Sequence, residues 1–321
     1  MKILFYVNSK QNFRKSNYLG GIEVLNYDLH KFIKRKHYTI LTNSITDNIR
    51  KTNWDIIISS NDAKVFNLIK SKRKILWLHN KLQIEKAFRK NKLFPILFNK
   101  IEAVFVSKFL NNITSKLYFF KKRIIIPNFL PHIFNGQNDL SNTDFKRKKI
   151  VWSVQREKGL KKIIEIWIKK INKLQPDAEL HIFTTNKLNI DNLKKFNVYF
   201  HGKISRKRLL NFYKQSFGMI CLGYDETFCL NAIEAMKMRL PVISLGETAL
   251  NELIVNNKNG HLLPSNPTTV QISDAINLFC SLSEQEKKSK RDSAYNTWDE
   301  KFNAQKNYGV FVNQILELKK T

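Results

Sequence analysis

The feature that most constrains this chain is an alternation of short apolar runs with longer amphipathic ones, played through twice. In the first half KILFYV (2–7), YTILT (38–42), DIIIS (55–59), KILWLH (74–79), AVFVS (103–107) and RIIIP (123–127) are separated by helix-compatible segments such as GIEVLNYDLHKFIKRK (21–36). The runs are β-branched and aliphatic without strict polar alternation, as in strands buried on both faces of a parallel sheet. A polar, turn-rich stretch, FNGQNDLSNTDFKRKK (134–149), then reads as a linker. The alternation restarts with KIVWSV (149–154), ELHIF (179–183), NVYFHG (197–202), GMICLG (218–223) and PVIS (241–244), with helices expected over 159–174 and 267–283. Two such blocks predict an α/β protein of two doubly wound, Rossmann-like domains with a cleft between them.

The totals agree with that size of fold. A chain of 321 residues, 43% of them apolar and 23 of them Phe, can fill two cores. Three cysteines in no metal-ligand spacing suit a reducing compartment and suggest no zinc site. MKILFYVNSK is too short an apolar run for a signal peptide, and no window has the roughly 18 apolar residues that a membrane span needs. The expectation is a cytoplasmic protein, soluble or peripheral on the inner face of the membrane.

The net charge of +30 leaves open a polyanion, an acidic membrane surface, a phosphorylated substrate, or a coding bias towards Lys, Asn and Ile. It is uneven. Residues 1–147 hold 28 Lys and Arg against 9 Asp and Glu, and residues 148–321 hold 28 against 17, so bias alone does not account for the basic front half.

Against this background DETFCLNAIEAMKMRLPVIS (225–244) places Glu226 and Glu234 eight positions apart, between two apolar strands. If 227–237 is helical, they stand about 12 Å apart along the axis. That is too far for two carboxylates sharing one bond and suitable for the two ends of an elongated ligand. A helix N-terminus between them would favour an anion.

The stretch resembles the characteristic motif of family-four (group 1) glycosyltransferases: an acid, seven residues, Glu-Ala-Met, a short gap and Pro-Val-Ile. Here it reads Glu226, TFCLNAI, Glu234-Ala235-Met236, KMRL and Pro241-Val242-Ile243, with Arg239 where the family usually has Gly. The resemblance implies the GT-B fold, two facing Rossmann-like domains, and a retaining transfer of sugar from a nucleotide diphosphate donor, UDP- or GDP-linked, to a hydroxyl. It implies that Glu226 meets the transferred sugar and Glu234 the ribose.

Other landmarks follow in order. LGGIE (19–23) resembles the glycine-rich first loop, which would bring Gly20 and Gly21 to the donor diphosphate. His79 ends KILWLH where the family often has a histidine facing the donor sugar. SVQREKGL (153–160) resembles the second domain's first loop and offers Arg156 and Lys158 to the diphosphate, beside the backbone of Phe228 and Cys229. FHGKIS (200–205) offers Gly202 and Lys203 to the base. The implied boundaries are an acceptor domain over 1–140, a donor domain over 148–300, and a terminal helix over 301–321 returning to the first domain.

No Asp-x-Asp triplet occurs, so a metal-independent reaction is expected, with no cofactor beyond the donor itself. KAFRKNKLFPILF (86–98) sets Lys86, Arg89, Lys90 and Lys92 among Phe94 and other apolar residues, a composition that suits an anionic membrane interface. The acceptor would then be a glycan or lipid-linked glycan of the surface polysaccharide or lipopolysaccharide type. Two alternatives stand beside this reading. One is a degenerate homologue that binds a nucleotide or scaffolds a glycan pathway. The other, a basic nucleic-acid-binding protein, would require binding modules or interleaved aromatics that are not evident.

Overall fold

The computed structural model describes residues 1–10, 20–130, 148–153, 159–184 and 192–316. It divides into two compact units, Met1–Asn135 together with Phe302–Thr321, and Gly136–Lys301.

The first unit holds six strands, β1 (Lys2–Val7), β2 (Tyr38–Thr42), β3 (Trp54–Ser60), β4 (Ser71–Leu78), β5 (Glu102–Phe105) and β6 (Lys122–Ile125). They form one parallel sheet in the order β2-β1-β3-β4-β5-β6. The central runs are buried end to end, which explains their unbroken apolar character. The helix Gly21–Lys34 returns the chain after β1 and turns Val24, Leu25, Leu29 and Ile33 inward, a helical spacing. Its buried Asn26 is satisfied by Ile22 O and Ser60 Oγ. The strand order reverses direction between β1 and β3, the place where open sheets of this kind take ligands at their carboxyl ends.

The last helix, Ala304–Leu316, belongs to this unit. Tyr308 stacks on Phe32 at 4.6 Å and meets Phe129 edge-on, its hydroxyl donating to Asp28, while Arg73 Nη1 donates to Ile315 O at 2.7 Å.

The second unit has β7 (Lys148–Trp152), β8 (Ala178–Ile182), β9 (Val198–Phe200), β10 (Gly218–Cys221), β11 (Val242–Leu245) and β12 (Gly260–Leu263). Its parallel order, β12-β11-β10-β7-β8-β9, is the doubly wound order with the reversal between β7 and β10. Expected strands appear within one to three residues of their apolar runs. The helix expected over 159–174 runs from Leu160 to Leu174 through a wide π turn at Trp167–Ile171, and the one expected over 267–283 is Thr269–Cys280, opened by a Thr268–Gln271 capping box. The expected linker, 134–149, lies outside the described residues except for its last two, which already belong to β7.

Two elements escape the apolar pattern. GHLL makes an edge strand whose Gly and His break the apolar run and whose middle is half-exposed. The helix Glu284–Lys301 is polar nearly all round and docks by cationic stems: Arg291 donates to Ser216 O and Lys214 O, and Lys290 to Asn257 O. Trp298 of the same helix lies 4.6 Å from the Lys237 ammonium.

Arg239 has a left-handed backbone, φ +58°, which explains why glycine suits this position in the resembling family. Its side chain pairs with Asp292 and lies 4.6 Å over the Tyr295 ring, contacts that offset the strain.

Candidate active site

In the second unit Ser153, Glu226 and Glu234 follow β7 and β10, the two strands between which the order reverses, while Gly202 and Lys203 follow the edge strand β9. Ser153 follows β7, its hydroxyl 2.6 Å from the Tyr213 hydroxyl, and its carbonyl accepts from the Asn231 amide. These contacts tie the strand end to the helices Arg206–Lys214 and Leu230–Lys237.

The segment after β10 corrects one expectation. Helix begins only at Leu230, so Glu226 stands in the loop before it and the axial spacing drawn for a helix over 227–237 does not apply. The chain turns sharply to make that loop: Asp225 (φ +68°) and Cys229 (φ +63°) are both left-handed, and Glu226 O accepts from Ala249 N at 3.0 Å. Glu226 is half-buried, and its carboxylate lies against Gly223, where a Cβ would stand 2.8 Å from Oε1. Phe228 is buried, and Cys229, at the helix N-cap, brings its Sγ to 3.8 Å from Cys221 Sγ. Burial and the neighbouring Cys221 push the Cys229 thiol well up, so it stays protonated.

Glu234 is 1% exposed. One oxygen, Oε1, pairs with Arg206 Nη2 at 2.6 Å, and the other, Oε2, has no hydrogen-bond partner among the described residues. Burial pushes its pKa up, and Arg206 pulls it back down. A buried carboxylate oxygen with nothing to accept is costly, and a ligand hydroxyl would satisfy it. Gly202, with φ +65°, follows β9, and exposed Lys203 comes next. Arg156 and Lys158 lie outside the described residues.

Sequence reasoning did not single out Arg206. The signal was present: Ser205 caps the helix, and its first turn carries Arg206, Lys207 and Arg208 with no acid. A cation there opposes the helix dipole, so a partner elsewhere was to be looked for.

In the first unit His79 follows β4 and is 5% exposed. Its backbone N–H donates to Asn61 Oδ1 at 2.8 Å, its Nδ1 lies 3.5 Å from Asn128 Nδ2, and its ring is 4.7 Å from that of Trp77. Burial pushes its pKa down to about 3, so the ring is neutral near pH 7. Gly20 caps the helix that Gly21 begins, and the Glu23 carboxylate lies over Gly20 where a Cβ would be. An anion brought to that helix start must displace it.

Residues 86–98 form two short helices, Ile84–Arg89 and Leu93–Phe98. Phe88, Phe94, Leu97 and Phe98 are exposed, as are Lys86, Arg89 and Lys90. Lys92 does not share that surface. Its ammonium donates to Asn61 O at 2.9 Å and lies 3.7 Å from Asp62 Oδ1, at the carboxyl end of β3.

Residues 140–296 match the family model described as glycosyl transferases group 1. The second unit is a group 1 glycosyltransferase domain. Among solved structures, a glycosyltransferase from Rickettsia africae is 17% identical, with a TM-score of 0.75 over 100% of this chain and 99% of that one. HepE from Anabaena, in complex with UDP-glucose, is 14% identical, with a TM-score of 0.73 over 99% and 100%. WaaG, a glycosyltransferase involved in lipopolysaccharide biosynthesis, is 11% identical, with a TM-score of 0.69 over 98% and 99%. At these identities the likeness shows the fold, GT-B, over the whole chain. No curated protein sequence matches the chain. Among the described residues no helix is long and apolar enough to cross a membrane.

Proposed function

We propose that this glycosyltransferase moves a sugar from a nucleotide diphosphate donor to an acceptor hydroxyl with retention at the anomeric carbon. The observation that carries the reading is the buried Oε2 of Glu234, an acceptor with no partner among the described residues, on the helix that follows β10. A ribose hydroxyl would donate to it. Eight positions upstream Glu226 would face the sugar, and the start of the helix Leu230–Lys237 would hold the diphosphate by its free amides.

As the nucleoside diphosphate leaves, charge grows on its β-phosphate. Arg156 and Lys158 are the cations assigned to it, in place of a metal ion. Neutral His79 would bond a sugar hydroxyl. Gly202 and Lys203 would meet the base, and Gly20 and Gly21 the donor diphosphate. HepE's complex with UDP-glucose makes UDP-sugars the first donors to try.

The test is donor hydrolysis and transfer across UDP-, GDP- and ADP-sugars in EDTA, with Glu226→Gln alongside and the product anomer read by NMR. Turnover of one donor, lost in Glu226→Gln with nucleotide binding kept and the anomer retained, is the expected result. An inverted anomer or an absolute metal requirement overturns that part of the reading. Nucleotide binding without turnover on any acceptor would favour the non-catalytic homologue.

The acceptor we assign is a glycan or lipid-linked glycan presented at an anionic membrane, with the chain peripheral on its cytoplasmic face. Exposed Phe88, Phe94, Leu97 and Phe98 beside Lys86, Arg89 and Lys90 support it, since such a surface combines insertion with charge attraction.

A further inference from the structure

We infer that Arg206 is a positioning residue for nucleotide recognition, holding Glu234 by one oxygen so that the other is aimed at the ribose. The inference rests on the ribose role proposed for Glu234 and adds the group that makes it work. Three observations meet here. The Arg206 guanidinium reaches Glu234 Oε1 at 2.6 Å while Oε2 has no partner among the described residues. Glu234 is 1% exposed, so without a nearby cation it would take up a proton far more readily. Arg206 also occupies a helix start where its charge is locally unfavourable and the first turn carries no acid, so the Glu234 carboxylate offers compensation that its own helix does not.

A carboxylate pinned at one oxygen has a fixed plane. It offers the ribose a single strong acceptor, and a nucleotide lacking the hydroxyl that fills it leaves a buried charge unsatisfied. Arg206 is the charged group that acts on Glu234, and Tyr213, on the same helix Arg206–Lys214, is in turn acted on by Glu234, Cys229 and Arg206. Burial and Glu234 itself push Tyr213 well up, so it stays neutral. The sign follows from Arg206 alone: removing it raises the Glu234 pKa further, and the acid side of any binding profile moves to higher pH.

The experiment is calorimetric titration of UDP, GDP and ADP, then of the 2′- and 3′-deoxy forms of whichever binds, from pH 5.5 to 8.5. The proteins are the wild type, Arg206→Leu, Arg206→Lys, Glu234→Gln and the double variant Arg206→Leu/Glu234→Gln. The wild type should prefer the ribonucleotide to one deoxy form by about 10- to 100-fold, the worth of a hydrogen bond to a charged group. Arg206→Leu should lose most of that preference and weaken at a higher pH than the wild type as the solution is acidified, and Arg206→Lys should restore both. In the Glu234→Gln background the Arg206 change should alter neither the preference nor the profile. That double variant also removes the unpaired buried charge, should Arg206→Leu alone fail to fold.

Unchanged deoxy discrimination and an unchanged profile in Arg206→Leu would overturn the inference while leaving the nucleotide-binding role standing. An effect of Arg206 that persists without the Glu234 carboxylate would also overturn it. Binding of none of the three nucleotides by the wild type removes the ribose reading, and this inference with it.

Discussion

Replacing Gly223 with Ala tests Glu226 without touching it. The added Cβ would stand 2.8 Å from Oε1 and 3.0 Å from Cγ of Glu226, where ordinary contact begins at 3.4 Å. The carboxylate must therefore retreat by roughly 0.6 Å, the difference between those two distances. The backbone at Gly223 is not left-handed, so alanine meets no conformational penalty, and its smaller unfolded-state entropy is worth about 0.4–1 kcal/mol in favour of folding. The overlapping atoms belong to a side chain that can swing aside, so the melting temperature should stay within about 2 °C of wild type. Reactivity is less forgiving: misplacing a reacting group by about 1 Å can cost 100-fold. We expect kcat to fall roughly 10- to 100-fold, about 1.4–2.7 kcal/mol in the barrier. Nucleotide affinity should not change, because Glu234 lies in the helix that begins only at Leu230, beyond the loop that Gly223 adjoins. Donor turnover, nucleotide titration and thermal melting on one preparation give the three readouts. Full activity in a folded Gly223→Ala protein would refute the placement of Glu226, as would a loss of nucleotide binding in step with activity.

Gly260→Ala should behave in the opposite way, since its Cβ would overlap the Val242 carbonyl oxygen and Ile254 Cγ2. Neither β11 nor the core can give easily, so a loss of about 3 kcal/mol is expected, seen as a fall of roughly 10 °C in melting temperature. His79 sets an acid limit to stability: its folded pKa is about 3, whereas the unfolded ring protonates near 6.5. Its neutral form is favoured above pH 6.5, and stability drains away as pH falls from there towards 3, by up to about 1.4 kcal/mol per unit. Urea melts at pH 5 and 7 should show a smaller difference in His79→Gln. Arg239→Gly should leave stability within about 1 kcal/mol of wild type, because relief of the left-handed backbone offsets loss of the Asp292 and Tyr295 contacts. Phe94→Ser/Phe98→Ser should abolish flotation with anionic vesicles while sparing donor hydrolysis; unchanged flotation would remove the membrane assignment.

The sequence by itself determined the layers. Strands buried on both faces must be apolar throughout, and helices between them must show one apolar stripe, so eleven of the twelve strands among the described residues could be placed from KILFYV to PVIS. That leaves GHLL, whose Gly-His start and half-exposed middle give no apolar run. The spacing of Glu226 and Glu234 was equally legible, because covalent order fixes which residues flank a strand-to-helix turn. What the tertiary structure decided is direction and pairing. Left-handed Asp225 and Cys229 put Glu226 outside the helix, Lys92 turned inward to Asn61, and Arg206 crossed from another helix to Glu234. The helix Glu284–Lys301 found its place through buried Arg291, with no apolar stripe to announce it. The physical reason is common to these cases. An apolar run needs only burial, which any neighbour supplies, whereas a charge needs one partner at one distance, and that partner is set by how separate elements meet.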